Sequence, residues 1–291
     1  MAIMNSSGVS ATNLGSKKLS VLIVLIIVII GLMTTYVLGL GSQQGNKDGE
    51  NDQNNIKDVL DPDQLVMGCS GIDCIPSIEN PAYVTSSEAE RWLREEDMVI
   101  GVVIDGDAYA YPLKVMRSHE IVNDEISGKP LAVTYCPLCR SGIVFSRKVG
   151  ENVLEFGVSG RLLHANLVMY DRQTETFWSQ MVGQAIKGPL KPQKLDFLNS
   201  AIVQWRGWRD KYPDSSVLSG PMGASPPELD EFNPYRDYQT NKDTFGTPFE
   251  DDRLHPKKIV YGIAIGDGAI AYPEETILSE TTIQDVVDNN K

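Results

Sequence analysis

The sequence predicts an α+β protein dominated by antiparallel β-sheet, with a single compact exported domain behind an N-terminal transmembrane helix. Three observations lead to this prediction. Residues 19–40 form one uninterrupted apolar run, residues 41–64 are polar, and residues 65–280 carry many short β-rich runs separated by turn residues. The last pattern is typical of a sheet built from hairpins. Residues 281–291 are predicted to be a C-terminal tail.

The apolar run at 19–40 has the length of a membrane anchor. At 1.5 Å per residue such a helix spans about 33 Å, enough for a hydrocarbon core of about 30 Å. Lys17 and Lys18 are the only charged residues before or within it. They place residues 1–18 in the cytoplasm and the remaining chain on the extracytoplasmic face. A cleaved signal peptide is the alternative, although Gly39, Gly41 and Ser42 make a weak cleavage site.

Composition limits the partners of the exported part. Residues 41–64 are rich in Gly, Asn, Gln and Asp and predict a flexible acidic linker. The formal net charge of −13 would repel nucleic acid, so nucleic-acid binding is not expected. Membrane contact is expected through the N-terminal helix, and the sequence identifies no protein partner.

The elements of the exported domain follow from local patterns. Residues 86–97 (SSEAERWLREED) predict a helix, because Ser87 and Glu90 have capping-box spacing. The runs around Asp105-Gly106 predict a β-hairpin. Further strands are predicted within 129–136, 141–149, 152–160 and 166–180, and a second helix within 203–214. Residues 220–255 predict a long ordered loop.

One hairpin sequence occurs twice. GVVIDGDAYAYP (101–112) and GIAIGDGAIAYP (262–273) align without gaps at an offset of 161 residues. Both contain an apolar strand, a Gly/Asp turn, a second strand and Tyr-Pro. The echo predicts a pseudo-symmetric β-rich core or an end hairpin that closes onto the beginning of the domain.

Four cysteines lie in the exported part, where disulfides persist. Cys69 and Cys74 share a short glycine-containing loop and predict a local disulfide, with metal ligation as the alternative. Cys136 and Cys139 form the sequence TYCPLCRSG, in which a strand pattern follows the pair instead of a helix. That context favours a metal knuckle, whose turn directs both sulfurs at one point. A redox-active dithiol, with Cys136 as nucleophile, and an inert brace are the alternatives.

A metal needs more ligands than one knuckle supplies. The chain has three histidines, of which His119 and His255 are the better placed relative to the predicted hairpins and His164 is a weaker candidate. Such a site suits zinc first, with copper or iron as other transition metals. Glu120, Asp124 and Glu125 follow His119 and are interpreted as a solvated helix end or as residues that orient the histidine. No phosphate-binding, nucleophile-elbow or dinucleotide motif occurs.

The chain resembles a large prokaryotic family of unknown function that is marked by the TYCPLC signature. IGVVIDGDAYAYPL, HEIVND, GKPLAVTYCPLC, FGVSG, LVMYDRQT and RLHPK occur in the family's order and cover about residues 75–275. The resemblance implies His119, Cys136, Cys139 and His255 as shared positions. His164 stands where relatives often carry Asn. The Cys69–Cys74 loop departs from the family pattern, which supports a local disulfide added to this branch.

The sequence therefore predicts a membrane-anchored extracytoplasmic metal-binding protein, with metal handling, electron transfer and catalysis all open. A thiol–disulfide oxidoreductase using Cys136 and Cys139 is the first alternative. A non-catalytic, disulfide-braced surface binding module is the second. Whether the protein is an enzyme stays undecided at this stage.

Overall fold

The computed structural model describes residues 59–222, 235–245, 247, 252–265, 268–280 and 282–285. All of them belong to one compact unit, Lys57–Lys291. The predicted cytoplasmic tail, the transmembrane helix and residues 41–58 of the linker lie outside the described residues. Within the described residues, no helix is both long enough and apolar enough to cross a membrane.

The domain is β-rich, and its helices are few and short. The strands are β1 Val66–Met67, β2 Pro81–Thr85, β3 Met98–Ile104, β4 Asp107–Pro112, β5 Ile121–Ile126, β6 Lys129–Cys136, β7 Ser141–Ser146, β8 Lys148–Val149, β9 Asn152–Val153, β10 Phe156–Leu163, β11 Asn166–Asp171, β12 Phe177–Ser179, β13 Ala185–Lys187, β14 Phe197–Leu198, β15 Ser200–Gln204, β16 Ser216–Pro221, β17 Val260–Ile265 and β18 Gly268–Pro273. The helices are α1 Ser86–Ala89, α2 Leu113–Met116, α3 Trp205–Lys211 and α4 Glu274–Ser279, and Pro62–Gln64 is a 3₁₀ turn.

Three sheets make up most of the domain. Their strand orders are β1-β10-β11-β12-β13, β14-β7-β6-β5 and β15-β3-β4-β16-β2, and β8-β9 and β17-β18 form two-stranded ribbons. Among these strands every pair is antiparallel except β4 with β16. Chain-adjacent strands mostly pair with each other because short turns connect them, as the sequence predicted.

Two apolar clusters lie on the faces of these sheets. The larger surrounds β3, β4 and α3, with Trp205 and Tyr111 fully buried in it. The second lies between β6–β7 and β10–β12 and contains Phe156 and Trp178, whose rings meet edge to face at 5.9 Å. The buried thiol of Cys136 belongs to this second cluster.

Several family motifs have structural roles in the sheet ends. Asp171 is fully buried and accepts hydrogen bonds from the Trp178 indole at 2.9 Å and the Thr174 amide at 2.7 Å. The side chain of Asn123 bridges to the backbone N–H and C=O of Phe156. The MYDRQT and HEIVND motifs therefore close turns and tie strands together, because buried polar groups need partners.

Two local predictions were wrong. The capping box of α1 is Thr85 with Glu88, and α1 itself ends at Ala89. The acidic residues after His119 are not a solvated helix end, because β5 begins at Ile121. Glu120 and Asp124 are only 6% and 5% exposed, and Asp124 accepts hydrogen bonds from Tyr83 and Tyr111.

The two echoed segments both fold as hairpins with the same register. Val99 pairs with Pro112 and Ile104 with Asp107 in the first, and Val260 pairs with Pro273 and Ile265 with Gly268 in the second. Each second strand ends in a proline that caps a helix, α2 or α4. The equivalence at 161 residues thus includes strand pairing and the helix start.

The copies differ in what covers their central glycine. A Cβ at Gly101 would lie 2.1 Å from the Trp208 ring, whereas a Cβ at Gly262 would meet nothing within 4 Å. Gly101→Ala should lower the free energy of unfolding by about 1–3 kcal/mol, because the buried indole must move. Gly262→Ala is the matched control and should change it by less than about 0.5 kcal/mol. Urea unfolding of both variants measures the difference, and equal effects would contradict it.

Candidate functional site

The two cysteines of the TYCPLC motif lie at the turn between β6 and β7. Cys136 ends β6, Pro137–Arg140 form the turn, and Ser141 begins β7 directly opposite Cys136 in the antiparallel register. Arg140 has a φ of +54°, a left-handed conformation that sharpens the turn. The predicted β context is present, and no helix starts at Cys136.

The two sulfurs have opposite surroundings. Cys136 is 1% exposed, and its Sγ lies 3.7 Å from the carbonyl oxygen of Ala165. Cys139 is exposed to solvent, and both cysteines are free thiols. The sequence-based choice of Cys136 as nucleophile stays a prediction, and the burial of the pair favours Cys139, the exposed residue, as the one that meets an incoming group.

Polar side chains from two strands, β7 and β11, lie at the Cys139 sulfur. The Ser141 hydroxyl lies 3.1 Å from it, and the Asn166 side-chain amide donates to it at 3.2 Å. Asn166 also donates to the side-chain oxygen of Gln180 at 2.7 Å, and the Ser141 hydroxyl donates to the same oxygen at 2.8 Å, since an amide oxygen has two lone pairs. The Asn166 amide is therefore the side-chain donor that the structure directs at the Cys139 sulfur.

The side chain of Gln180 holds this arrangement in place through further hydrogen bonds. Its side-chain nitrogen donates to the Thr134 hydroxyl at 3.1 Å, and Thr134 in turn donates to the Ile143 carbonyl oxygen at 2.7 Å. Gln180 is fully buried. We call Thr134, Ser141, Asn166 and Gln180 the sulfur network, and its contacts hold the Asn166 amide and the Ser141 hydroxyl at the Cys139 sulfur.

The network makes Cys139 acidic. A hydrogen bond from Cys136, together with those from Ser141, Asn166 and the Ser141 backbone N–H, lowers the pKa of Cys139 to about 6. Burial raises the pKa of Cys136 well above its usual value, and the neighbouring Cys139 raises it further. At neutral pH the pair therefore holds one thiolate and one thiol, with the thiolate at the surface.

A buried carboxyl lies close to both sulfurs. Glu120 precedes β5 with a φ of +60°, and its backbone oxygen accepts from the Tyr135 amide at 2.7 Å. Burial raises the pKa of Glu120 to about 7, and the charge of Cys139 acts in the same direction. The Tyr235 hydroxyl donates to its carboxyl at 3.3 Å. Such a group can accept or release a proton near neutral pH.

The structure does not gather the three predicted histidine ligands at the sulfurs. The ring Nδ1 of His119 lies 2.9 Å from the Pro76 carbonyl oxygen, and Nε2 of His164 lies 3.0 Å from that of Val59. His255 Nδ1 accepts from the backbone N–H of Lys257 at 3.2 Å. Within the part of the chain that the structure describes, no group of three or more His, Cys, Asp or Glu side chains could hold a metal ion.

His164 has a conformational role. It and Ala165 form the turn between β10 and β11, with φ values of +53° and +60°. Two consecutive left-handed residues are typical of a tight hairpin turn, and Asn fits such positions well.

Cys69 and Cys74 form the predicted local disulfide. Their loop lies on β10, where the Gly160 carbonyl accepts from the amides of Gly68 and Cys69.

A sequence comparison matches residues 72–291 to the family described as "Protein of unknown function (DUF3179)". The chain belongs to this family. The match covers most of the chain and confirms the resemblance predicted from the TYCPLC signature. No curated protein and no solved structure matches the chain. The description of the DUF3179 family names no activity.

Sequence reasoning found both cysteines but missed most of the groups that act on them. Asn166 and Gln180 are the first and last residues of the stretch 166–180, and both were interpreted only as strand residues. Tyr235 lay in the predicted long loop. The available signal was a set of polar side chains within otherwise apolar strands, which becomes specific only when the fold places them together.

Proposed function

We propose that this protein is a membrane-anchored, extracytoplasmic thiol–disulfide oxidoreductase whose redox-active pair is Cys136 and Cys139. The observation that carries the proposal is Cys139, an exposed residue whose sulfur accepts from the Asn166 amide and contacts the Ser141 hydroxyl, beside the buried Cys136 thiol. Catalytic dithiols need one accessible thiolate and one sheltered partner. The anchor at 19–40 and the linker at 41–64 would tether the redox domain to the outer face of the membrane.

The asymmetry of the pair favours oxidation of substrate thiols. Starting from a Cys136–Cys139 disulfide, a substrate thiolate attacks the exposed Cys139 sulfur and forms a mixed disulfide. The Cys136 sulfur leaves as a thiolate and takes up a proton, for which Glu120 is a suitable donor because it is a buried acid whose charge acts on Cys136. A second substrate thiolate then attacks the substrate sulfur of the mixed disulfide, and Cys139 leaves.

The products balance in electrons. The substrate dithiol loses two electrons and becomes a disulfide, while the protein pair gains two and becomes a dithiol. The sulfur network stabilises the departing Cys139 thiolate, and stabilising the reduced form makes a pair more oxidising. A separate disulfide, of a second protein or of a small molecule, would restore the starting state.

Metal binding by the same two sulfurs is the second candidate. It is favoured by the position of both sulfurs on one turn, within hydrogen-bonding reach of each other. Two thiolates suit zinc first, and copper or iron as alternatives. The predicted ligand role of His119 and His255 would require a rearrangement of the contacts described above. Metal binding therefore stays a prediction.

The test compares redox titration with metal content on the same preparation. The full chain, solubilised in mild detergent, is equilibrated in buffers of different glutathione to glutathione-disulfide ratio, and free thiols are alkylated and located by mass spectrometry. Cys136 and Cys139 are expected to titrate together as one two-electron couple that is lost in Cys139→Ser. A Cys69→Ser/Cys74→Ser variant is the control and should retain it.

Two results would overturn the proposal. One equivalent of bound metal per chain that is lost in Cys136→Ser/Cys139→Ser would show that the two sulfurs bind a metal ion. An absence of both metal and a titrating couple would leave the non-catalytic binding module.

A further inference from the structure

A groove of about 830 Å³ begins at the cysteine turn. Pro137, Arg140 and Ser141 belong both to the turn and to the groove wall. The volume lies within the range of about 300–1,000 Å³ that is usual for ligand sites. The groove extends from this turn toward strands β15 and β17, and two of its lining residues, Arg140 and Ser141, directly follow Cys139 in the chain.

Two of the strands that line the groove, β15 and β17, have an edge without a strand partner among the described residues. Residues 200–202 of β15 and 260–262 of β17 contribute to it. β15 is the end strand of its sheet, and β17 pairs only with β18 among the strands that the structure describes. An edge strand offers backbone N–H and C=O groups to an added chain, and an extended peptide gains main-chain hydrogen bonds there.

The repeat shows what such an edge can accept. β17 corresponds to β3 at the offset of 161 residues, with the same register to its hairpin partner. On its other side β3 pairs antiparallel with β15, from Val102–Ser200 to Met98–Gln204. In the second copy the described residues supply no strand for the corresponding edge of β17. The first copy thus demonstrates that this hairpin sequence accepts an antiparallel strand.

The opposite wall at β7 is not available for strand addition. The backbone N–H of Ser141 donates to the Cys139 sulfur, and its C=O accepts from Gln180 at 3.4 Å. The Ile143 carbonyl is bound by Thr134. The sulfur network therefore uses these β7 groups, and a bound chain must pair across the groove.

Side chains and backbone along β17 suit a polypeptide. Val260 and Tyr261 are 42% and 46% exposed, so they offer apolar contact to alternate side chains of an added strand. Gly262 has open space where a Cβ would lie. A strand glycine of this kind permits the close approach of another backbone.

We propose that this groove binds an extended polypeptide that contains a cysteine, as a strand added to the β17 edge, and presents the cysteine to Cys139. The inference rests on the proposed function and names its substrate class: extended segments of exported proteins rather than small thiols. Binding before reaction would raise the local concentration of the substrate thiol at the exposed sulfur.

The test compares one peptide and one small dithiol on the oxidised full chain. The probes are an unstructured peptide with two cysteines and dithiothreitol, each compared per thiolate. The peptide is expected to reduce the Cys136–Cys139 disulfide at least about tenfold faster than dithiothreitol does. Equal rates would overturn the groove proposal.

Variants locate the effect. Ala201→Trp places a large side chain at an exposed groove position on β15 and should lower the ratio of the peptide rate to the dithiothreitol rate by about tenfold. Val153→Trp is the control, at an exposed β9 position outside the groove lining. Unchanged or equally slowed reactions in Ala201→Trp would contradict the proposal. Failure of dithiothreitol to reduce the wild-type pair would instead overturn the proposed function.

Discussion

Replacing Asn166 by Ala is expected to slow alkylation of Cys139 at acidic pH by about tenfold, because it removes one hydrogen bond from a thiolate. The Asn166 amide donates to the sulfur at 3.2 Å and to Gln180 at 2.7 Å. Without it the pKa of Cys139 rises from about 6 toward the ordinary thiol value. Since only the thiolate reacts, its smaller population below the new pKa lowers the rate.

Asn166→Asp should have a larger effect than Asn166→Ala. The aspartate keeps the oxygen that accepts from the Met181 amide at 3.1 Å, so the start of β11 retains its contact. It replaces the amide donor with a negative charge beside the sulfur, which disfavours a second negative charge. The pKa of Cys139 should therefore increase from wild type to Asn166→Ala, and again from Asn166→Ala to Asn166→Asp.

The measurement is the rate of iodoacetamide labelling at Cys139 from about pH 4 to about pH 9, read by peptide mass spectrometry. Asn152→Ala, at an exposed β9 position, is the matched control and should leave the profile unchanged. Cys136 should stay unlabelled until the chain unfolds, since its side chain is 1% exposed. If the labelling profile of Asn166→Ala equals that of wild type, the sulfur network does not lower the pKa of Cys139.

The sequence predicted the parts of this molecule that depend on neighbours in the chain. The hairpin at Asp105-Gly106 is confirmed, because both residues adopt the positive φ that this turn requires. The strands on either side of the cysteine pair and the helix at Trp205–Lys211 are also present, since their patterns are local.

The site depended on contacts that no local pattern encodes. Asn166, on β11, and Gln180, directly after β12, lie 27 and 39 residues along the chain from the groups that they bind. Glu120 was interpreted as solvated because it stands in an acidic run, yet its backbone turns the side chain inward. Burial and long-range contacts change the pKa and the hydrogen-bond partners of such residues, and both depend on the fold and not on the local sequence.

Glu120 supplies the second large expected effect, on the pH dependence of stability. Burial raises its pKa from 4.5 in the unfolded chain to about 7 in the folded protein. Between these values the folded state binds more protons than the unfolded state, so the free energy of unfolding falls as the pH rises through this window. The full loss contributed by this group is on the order of 3 kcal/mol.

Glu120→Gln should remove that loss, because glutamine is neutral at every pH and its side-chain oxygen can still accept from Tyr235. The variant is expected to match wild type near pH 4.5 and to be more stable at pH 8 by about 2–3 kcal/mol. Urea unfolding at both pH values measures the difference. Glu125→Gln, an exposed neighbour on β5, is the control and should show no such difference.

The same variant tests whether the carboxyl and the thiol act on each other. The charge of Cys139 raises the pKa of Glu120, and reciprocity requires that ionised Glu120 also raises the pKa of Cys139. In Glu120→Gln the labelling profile of Cys139 should therefore shift to lower pH, while in Glu125→Gln it should stay in place. A stability gain without this shift would mean that Glu120 is a buried acid with no part in the chemistry of the sulfur pair.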